Sequence, residues 1–395
     1  MTDTRSGASA FQRREIDDFM ARALRGEAIA TDTLPCEPAA LVERAIFHGV
    51  SALLLESGEN TSWLPANFGS ALRAQVLQET MWDLRHRQVL IPVLEDLADA
   101  GLLPILLKGT ALAYAYYALP ALRPRGDTDI LIDPAHRSNA REILRRHEFV
   151  PYSPFEAATI SEETWTFTAA DGSQHHLDVH WNLMSDLALG DLFSNHDLAQ
   201  HSVPVPRLCA SAKMLSPCDA LLHACIHRAK HFKSAYFVAG EASYDGDRLI
   251  WHYDIMLLSR RMSPSDWERF CERSRSMGIE PICASTLKLS RDLLGANIPA
   301  AVQETLELGT GCGRAFEYLT YSSLAGRILQ NVRMLPDGRS RLKFLRSILL
   351  PTEAVLRSEF PNHPKSHALI LHVRRYLARA SRMARRWRDN RSRRQ

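Results

Sequence analysis

The sequence predicts an α+β fold, in which a small mixed sheet with helices is flanked by helical regions on both sides. Two observations support this prediction. Apolar residues recur at helical spacing in roughly the first hundred residues and again after about residue 209, whereas short apolar runs separated by turn residues fill the stretch between. We therefore expect a helical region over residues 1–98, the α+β domain over 99–208, a second helical region over 209–360 and a basic tail helix over 361–395.

The first helical region contains short helices and one long helix. Over residues 11–55, apolar side chains such as Ile16 and Ile46 recur at the spacing of short helices. A longer pattern runs from about residue 68 to residue 100, where the Ala100-Gly101 pair gives a C-terminal signal. Its apolar stripe includes Leu72, Leu77, Met81 and Leu84.

The stretch that follows alternates between strand and helix patterns. Residues 103–107 suit a buried strand, Lys108-Gly109-Thr110 a turn, and residues 111–119 a helix that Pro120 stops. Further along, the sequence predicts a strand over 127–133, an amphipathic helix over 135–147, and a hairpin of strands 164–168 and 175–181 joined through Asp171-Gly172.

The composition excludes several classes of protein. The chain has 395 residues, of which 46% are hydrophobic and 24% charged, as in an ordinary globular protein of two or three domains. Its seven cysteines include no C-x-x-C pair, which argues against a disulfide framework or zinc ribbon and favours a reducing cytoplasm. The polar first ten residues lack the apolar core of a signal peptide. The most apolar stretch, 102–122, contains Lys108 and two prolines, so a transmembrane segment is not expected.

The net charge of +3 conceals an uneven distribution. Residues 365–395 hold eleven basic residues and one acid, Asp389, so this segment carries +10 and the remaining chain −7. Apolar side chains also recur within the segment, at Leu371, Tyr376, Leu377, Met383 and Trp387. This pattern is compatible with binding to nucleic acid, with binding to an anionic membrane surface, and with a solvated helix that ends the domain.

Three acids are the candidate catalytic residues. Asp127 and Asp129 stand two apart in a strand-like run, so both carboxylates point to one face. Adjacent carboxylates repel each other unless a cation lies between them, and Mg²⁺ prefers such oxygen ligands. Asp178 can complete the set if its strand pairs beside the first. We expect these acids to hold two Mg²⁺ or Mn²⁺ ions, with Asp178 also placed to deprotonate or orient an acceptor hydroxyl.

The turn before the predicted helix is the candidate nucleotide-binding element. Gly109 lets the backbone approach a phosphate closely, and N–H groups at the start of a helix favour an anion. Thr110 can add a hydroxyl. Lys108, Arg123 and Arg125 are placed in the sequence to meet the charge of a triphosphate.

Histidines mark a possible substrate pocket. His180 lies two residues after Asp178, on the same predicted face. His223, His227 and His231 recur every four residues along one predicted helix. That spacing can bind a metal, although such a stripe more often packs under a pocket or bonds to backbone carbonyls. We expect His180, His227 and His231 near the substrate.

These segments together resemble a known family. Residues 100–113 are similar to the "aGi…lKG.aLa" segment of the uncharacterised nucleotidyltransferases, a branch of the DNA polymerase β-like superfamily. Residues 123–132 resemble its "Rp..DiDlLv" segment, and residues 177–181 its third-carboxylate strand. Residues 222–255 resemble its helical "H…H…rL.w..Di" region. The resemblance extends from about residue 40 to about residue 350.

The resemblance implies a polymerase β-like nucleotidyltransferase palm. Gly109 and Thr110 match its phosphate-binding turn, and Asp127, Asp129 and Asp178 match its metal carboxylates. Thr110 stands where Ser or Ala is commoner, and the gap from Gly109 to Asp127 exceeds that of minimal members of the superfamily.

The implied reaction moves a nucleoside monophosphate from an NTP, such as ATP, to an acceptor hydroxyl or phosphate, with release of pyrophosphate. Small-molecule, protein and RNA acceptors all remain open. Two other functions also remain open. One is a catalytically inactive palm that acts as a binding or regulatory module. The other is an RNA-binding protein that acts through the basic tail.

Overall fold

A computed structural model describes most of the chain. The described residues are 10–29, 35–61, 63–152, 161–232, 236–238, 241–243, 246–320, 323–353, 356, 360 and 367–378. Helices surround one mixed sheet, so the predicted α+β class is confirmed. The part of the predicted tail helix beyond residue 378 lies outside the described residues.

Four helices precede the sheet. They are α1 (Ala10–Leu24), α2 (Pro38–His48), α3 (Ser51–Thr61) and α4 (Ala66–Asp99). Helix α2 ends at Gly49, whose left-handed φ of 69° lets its N–H bond back to the last turn. Helices α2 and α3 pack against α4 through buried leucines such as Leu41 and Leu54.

The middle of α4 differs from the sequence prediction. Leu77, Met81 and Leu84 are 63%, 42% and 50% exposed, although they belong to the predicted apolar stripe. In this part of the helix the buried side chains are polar, namely Asp83 and His86. They face polar groups of the sheet and the loop before it, so hydrogen bonding rather than apolar burial decides which face turns inward.

Seven of the described strands form one mixed sheet in the order β3-β4-β5-β2-β1-β7-β6. They are β1 (Ile105–Leu107), β2 (Asp127–Leu131), β3 (Val150–Pro151), β4 (Glu162–Thr168), β5 (Gln174–His180), β6 (Val203–Pro204) and β7 (Lys213–Met214). Strand β2 is antiparallel to β1 and parallel to β5, and β5 pairs with β4 as the predicted hairpin. Strand β7 lies beyond residue 208, so the sheet continues past the predicted boundary of the α+β domain.

Three helices connect these strands: α5 (Lys108–Ala115), α6 (Arg137–Arg146) and α7 (Asn195–Gln200). Helix α5 begins at Lys108, so the predicted turn is in fact the first turn of the helix. Helix α6 packs against α4 through Ala140, Ile143 and Leu144, its buried residues.

The chain after the sheet is again mainly helical. Its helices are α8 (Pro217–His231), α9 (Leu249–Ser259), α10 (Pro264–Ser276), α11 (Glu280–Leu294), α12 (Ala300–Glu307), α13 (Gly313–Thr320), α14 (Leu324–Arg333) and α15 (Gly338–Leu349). A hairpin of β8 (Tyr236–Val238) and β9 (Glu241–Ser243) lies between α8 and α9. Helix α11 packs on α8, α9 and α1, so the two helical regions are in contact. A further helical segment covers residues 368–378.

No single helix within the described ranges has the length and apolarity to cross a membrane. One pair of helices, α2 and α3 over Pro38–His48 and Ser51–Asn60, is long and apolar enough for a membrane span only when the two are taken together. They meet at a bend of 120°. The seven cysteines are free thiols.

Candidate active site

The pairing of β2 with β5 brings the three candidate acids together. The parallel register sets Asp129 opposite Asp178 and Asp127 opposite His176. Because side chains alternate along a strand, Asp127, Asp129 and Asp178 lie on one face of the sheet. All three line a cavity of about 710 Å³. The structure therefore places the sequence-predicted carboxylates in one pocket.

Asp129 is held by two donors. Lys108 Nζ lies 2.6 Å from its Oδ1, and His180 Nε2 lies 2.9 Å from the same oxygen. Burial opposes ionisation of Asp129, but the charge of Lys108 and the bond from His180 outweigh it and lower the pKa of this carboxyl. Asp129 is therefore ionised at neutral pH even without a bound cation.

The other two acids have the opposite tendency. Burial, together with the negative charge of Asp129, raises the pKa of Asp127 to about 6 and that of Asp178 to about 8. Asp178 Oδ1 is buried and has no hydrogen-bond partner among the described residues. A buried oxygen without a donor is costly, so this position favours a cation or a proton.

The start of α5 forms the floor of the pocket beside these acids. Lys108 has a φ of 48°, an uncommon conformation for a residue with a long side chain, and its neighbour Gly109 lines the cavity. A Cβ atom added at Gly109 would lie 3.5 Å from Arg125 Cβ and 3.9 Å from Arg123 Nη1, which are ordinary contacts. Packing within the protein therefore does not explain why residue 109 is glycine. The close approach of a ligand to the backbone would explain it.

Thr110 does not face the cavity as the sequence prediction required. Its side chain is buried, and its Oγ1 lies 2.7 Å from Thr128 Oγ1, on the opposite side of β2. The alternation of β2 explains this, because Thr128 points away from the face that carries Asp127 and Asp129. The Thr110 hydroxyl therefore helps to attach α5 to the sheet.

Arg123 and Arg125 line the cavity, but each is held by an acid of its own. Arg123 Nε and Nη2 donate to the carboxylate of Asp254 at 3.0 Å and 2.9 Å, a buried bidentate pair. Arg125 Nη2 binds Asp83. The two guanidinium groups thus tie the loop before β2 to α9 and α4, in addition to facing the predicted triphosphate site.

Residues of α8 and α9 and the N-cap of α9 form another part of the cavity lining. These residues include His223, His227, Arg248 and Trp251, and the rings of His227 and Trp251 meet edge to face with centroids 5.3 Å apart. Burial, together with the charge of Lys108, lowers the pKa of His223 to about 3. Burial and neighbouring His231 likewise lower the pKa of His227 well below its usual range. Both imidazoles are therefore neutral at pH 7.

Two of the predicted pocket histidines have other positions. His180 lies behind Asp129 and is only 2% exposed, so it holds the carboxylate rather than lining the cavity. His231 packs against the rings of His227 and Trp251, with centroids 4.3 Å and 6.1 Å away. Of the histidines expected near the substrate, His227 lines the cavity.

Sequence reasoning missed several residues of the pocket. Arg248 and Trp251 belong to the "rL.w..Di" segment, yet their spacing gives no indication of which face of α9 looks into a cavity. Sequence reasoning also missed Asp83 and His86 of α4, which do not line the cavity but bind Arg125 and Thr128 beside it. Their signal was a pair of polar residues, three apart, inside an otherwise apolar stripe.

Comparison with known families identifies the class of protein. The sequence profile of the family described as uncharacterised nucleotidyltransferase matches residues 35–295, well over half of the chain. The chain therefore belongs to this family, which supports nucleotidyl transfer as its general function. No curated protein matches the chain.

Proposed function

We propose that this protein is a metal-dependent nucleotidyltransferase. It would move a nucleoside monophosphate from an NTP to an acceptor hydroxyl or phosphate and release pyrophosphate. The observation that carries the proposal is the register of β2 with β5, which gathers Asp127, Asp129 and Asp178 in one cavity beside the first turn of α5. Family membership supplies the class of reaction.

The donor set suits a divalent cation. Oxygen ligands from adjacent carboxylates are those that Mg²⁺ and Mn²⁺ prefer, and the buried Asp178 Oδ1 without a donor is a free ligand position. In the described part of the chain, no three acidic, histidine or cysteine side chains are arranged as a complete metal site. Lys108 Nζ and His180 Nε2 both bind Asp129 Oδ1. We infer that Lys108 neutralises this carboxylate and withdraws from it when Asp129 serves as a ligand.

The chain's own residues account for positioning in the reaction. Asp127, Asp129 and Asp178 would hold the ions, which supply charge neutralisation at the reacting phosphate and the leaving pyrophosphate. The N–H groups of the first turn of α5 would donate hydrogen bonds to phosphate oxygens, which Gly109 lets approach closely. Lys108 lies beside them. Arg123 and Arg125, each paired with an acid, also line this cavity and present N–H groups near the predicted phosphate site.

The bond changes follow from that placement. The acceptor oxygen forms a bond to the α-phosphorus, and the bond from the α-phosphorus to the bridging oxygen of the β-phosphate breaks. Asp178 would accept the proton of an acceptor hydroxyl or orient that hydroxyl, because its carboxylate lies in the same cavity as Asp127 and Asp129.

Labelling with each α-³²P-NTP tests the proposal directly. The protein is incubated with one labelled NTP, Mg²⁺ or Mn²⁺ and cell extract, and the labelled product is identified on gels and by chromatography. We expect label transfer with the natural chain and none above background with Asp127→Asn. Asp133→Asn is the matched control, because Asp133 follows the same strand but caps the short helix after it, a role that Asn also fills. Equal labelling by the natural chain and Asp127→Asn would contradict the proposal.

A further inference from the structure

The helical segment 368–378 carries an exposed apolar side. Leu369, Val373 and Leu377 follow one another every four residues and are 66%, 50% and 64% exposed. The other side of this segment is seated on the protein, since Leu371 and Arg375 are buried. A surface helix normally turns its apolar stripe toward the protein core. In segment 368–378 the apolar stripe of Leu369, Val373 and Leu377 faces outward instead.

The end of α15 extends the same surface. The Tyr376 hydroxyl donates to the Leu349 carbonyl, and Arg375 Nη1 donates to the Ile348 carbonyl at 3.0 Å. These bonds place the segment beside the end of α15. We call the exposed apolar side chains of both elements the apolar surface; they are Leu342, Leu349, Leu350, Leu369, Ile370, Val373, Tyr376 and Leu377.

Basic side chains surround the apolar surface. Exposed cations flank it on both elements, at Arg339, Arg341, Lys343, Arg346 and Arg374. Residues 338–395 contain sixteen basic and three acidic residues, a net charge of +13, whereas the remaining chain carries −10. In the sequence, the positive charge of the chain is thus concentrated in the segment that contains the apolar surface.

The sequence beyond the described residues continues this pattern. Ala380, Met383 and Trp387 follow Tyr376 at intervals of three and four residues, and four arginines, at 379, 382, 385 and 386, stand between them. Apolar residues at this spacing, an arginine-rich opposite face and a tryptophan are the sequence features of helices that lie in a membrane interface.

We propose that the apolar surface docks on an anionic lipid bilayer. A bilayer surface accepts both features at once, because acyl chains cover the leucines while headgroup phosphates and carboxylates meet the arginines. Nucleic acid would pair with the arginines and leave the apolar surface in water. A second copy would cover the leucines but bring a second net charge of +13 against the first.

Vesicle co-sedimentation of the full chain tests the proposal. The vesicles are pure phosphatidylcholine, or phosphatidylcholine with phosphatidylserine, at two salt concentrations. The triple variant Leu369→Gln, Val373→Gln, Leu377→Gln removes part of the apolar surface. Leu77→Gln, Met81→Gln, Leu84→Gln on α4 is the matched control, because these residues are exposed to a similar degree and recur at helical spacing on a different helix.

We expect the natural chain and the α4 control to sediment with anionic vesicles and to be released by salt. The triple variant should bind at least about tenfold more weakly, because its apolar contribution is lost. Equal binding by the triple variant, or equal binding to both vesicle types, would overturn the proposal. So would binding of single-stranded RNA, but of no vesicle, by the natural chain. Self-association that the triple variant abolishes, without vesicle binding, would assign the apolar surface to a second copy.

Discussion

Strand β2 carries polar groups on both faces of the central sheet, and the two faces differ in how these polar groups are satisfied. On one face, Asp127, Asp129 and Asp178 share a cavity, and Asp178 Oδ1 has no partner in the described structure. On the other face, Thr128 Oγ1 lies 2.6 Å from His86 Nε2 and 2.7 Å from Thr110 Oγ1. Thus the same strand carries excess charge on one side and a closed, neutral network on the other.

This difference separates groups that stabilise from groups that act. A network whose donors and acceptors are all paired fixes α4 and α5 to the sheet and needs nothing from outside. Carboxylates that disturb each other's ionisation cost stability, and such groups are typical of functional sites. The sheet thus assigns its two faces to different tasks.

The largest expected effect is the loss of activity on the carboxylate face. Asp129→Asn keeps the shape of the side chain but removes the charge that a cation requires. We expect nucleotide transfer to fall at least about 10²–10³-fold, the range seen when a group that stabilises transition-state charge is lost. Steady-state rates with the labelled NTP measure it. Activity within a few fold of the natural chain would remove Asp129 from the reaction.

The opposite face should respond in stability rather than in activity. Thr128→Val retains the shape but leaves His86 Nε2 without its partner and leaves Thr110 Oγ1 only the Asp127 carbonyl at 3.4 Å. The unfolding free energy should fall by about 1–3 kcal/mol, the cost of unsatisfied buried polar groups. Urea unfolding gives this value, and kcat should stay within a few fold. If Thr128→Val is as stable as the natural chain but inactive, the face that carries Thr128 serves activity and not stability, which contradicts the assignment made here.

The two faces should also differ in the sign of their pH dependence. Asp178 has a pKa of about 8 when folded, raised by burial and then by Asp129, against about 4 when unfolded. The folded state then binds the extra proton, so this group's contribution to stability is lost as pH rises from 4 to 8. Burial, followed by the charge of Arg125, lowers the pKa of His86. Its contribution is lost instead as pH falls below 6.5.

Melting temperatures without added metal check both signs. Asp178→Asn should melt higher than the natural chain at pH 8, by about 1 kcal/mol of unfolding free energy or more, and the gain should shrink toward pH 5. His86→Gln should lose less stability than the natural chain between pH 7 and pH 5. Parallel curves for all three proteins would show that neither group carries the predicted linkage.

The smallest expected effect concerns Gly109. Gly109→Ala fits the space around it and favours a helix by up to about 1 kcal/mol, so stability should be unchanged or raised. The added methyl group would meet a phosphate that approaches the first turn of α5. We expect NTP affinity, measured by calorimetry with Mg²⁺, to fall about tenfold. Unchanged affinity would place the phosphate elsewhere in the cavity.

The sequence could predict whatever depends on local spacing. The alternation of Asp127 with Asp129, the hairpin that contains Asp178 and the helix that carries His227 all follow from periodicity within one element. The exposure of Leu77 could not be predicted this way, because the polar groups that rotate α4 come from other segments.

Ion pairs between residues far apart in the chain could not be predicted from the sequence either. Arg125 and Asp83 are 42 residues apart, and Arg123 and Asp254 are 131 apart. Both arginines were expected to bind nucleotide, since nothing in their spacing reveals the acids that hold them. The same limit applies to Thr110, because α5 begins at Lys108, three residues before the predicted start, and the Thr110 hydroxyl turns toward Thr128.

The pair of Arg123 with Asp254 has a consequence for the autonomy of the sheet. Tyr117 also donates to Asp254, at 2.7 Å, so one acid on α9 satisfies two buried groups from the loop before β2. A fragment ending at residue 208 would strand Arg123 without its acid, which costs about 3–5 kcal/mol for a buried charge. It would also uncover the edge of β1 that β7 protects. The sheet therefore depends for part of its stability on β7 and on the helices that follow it.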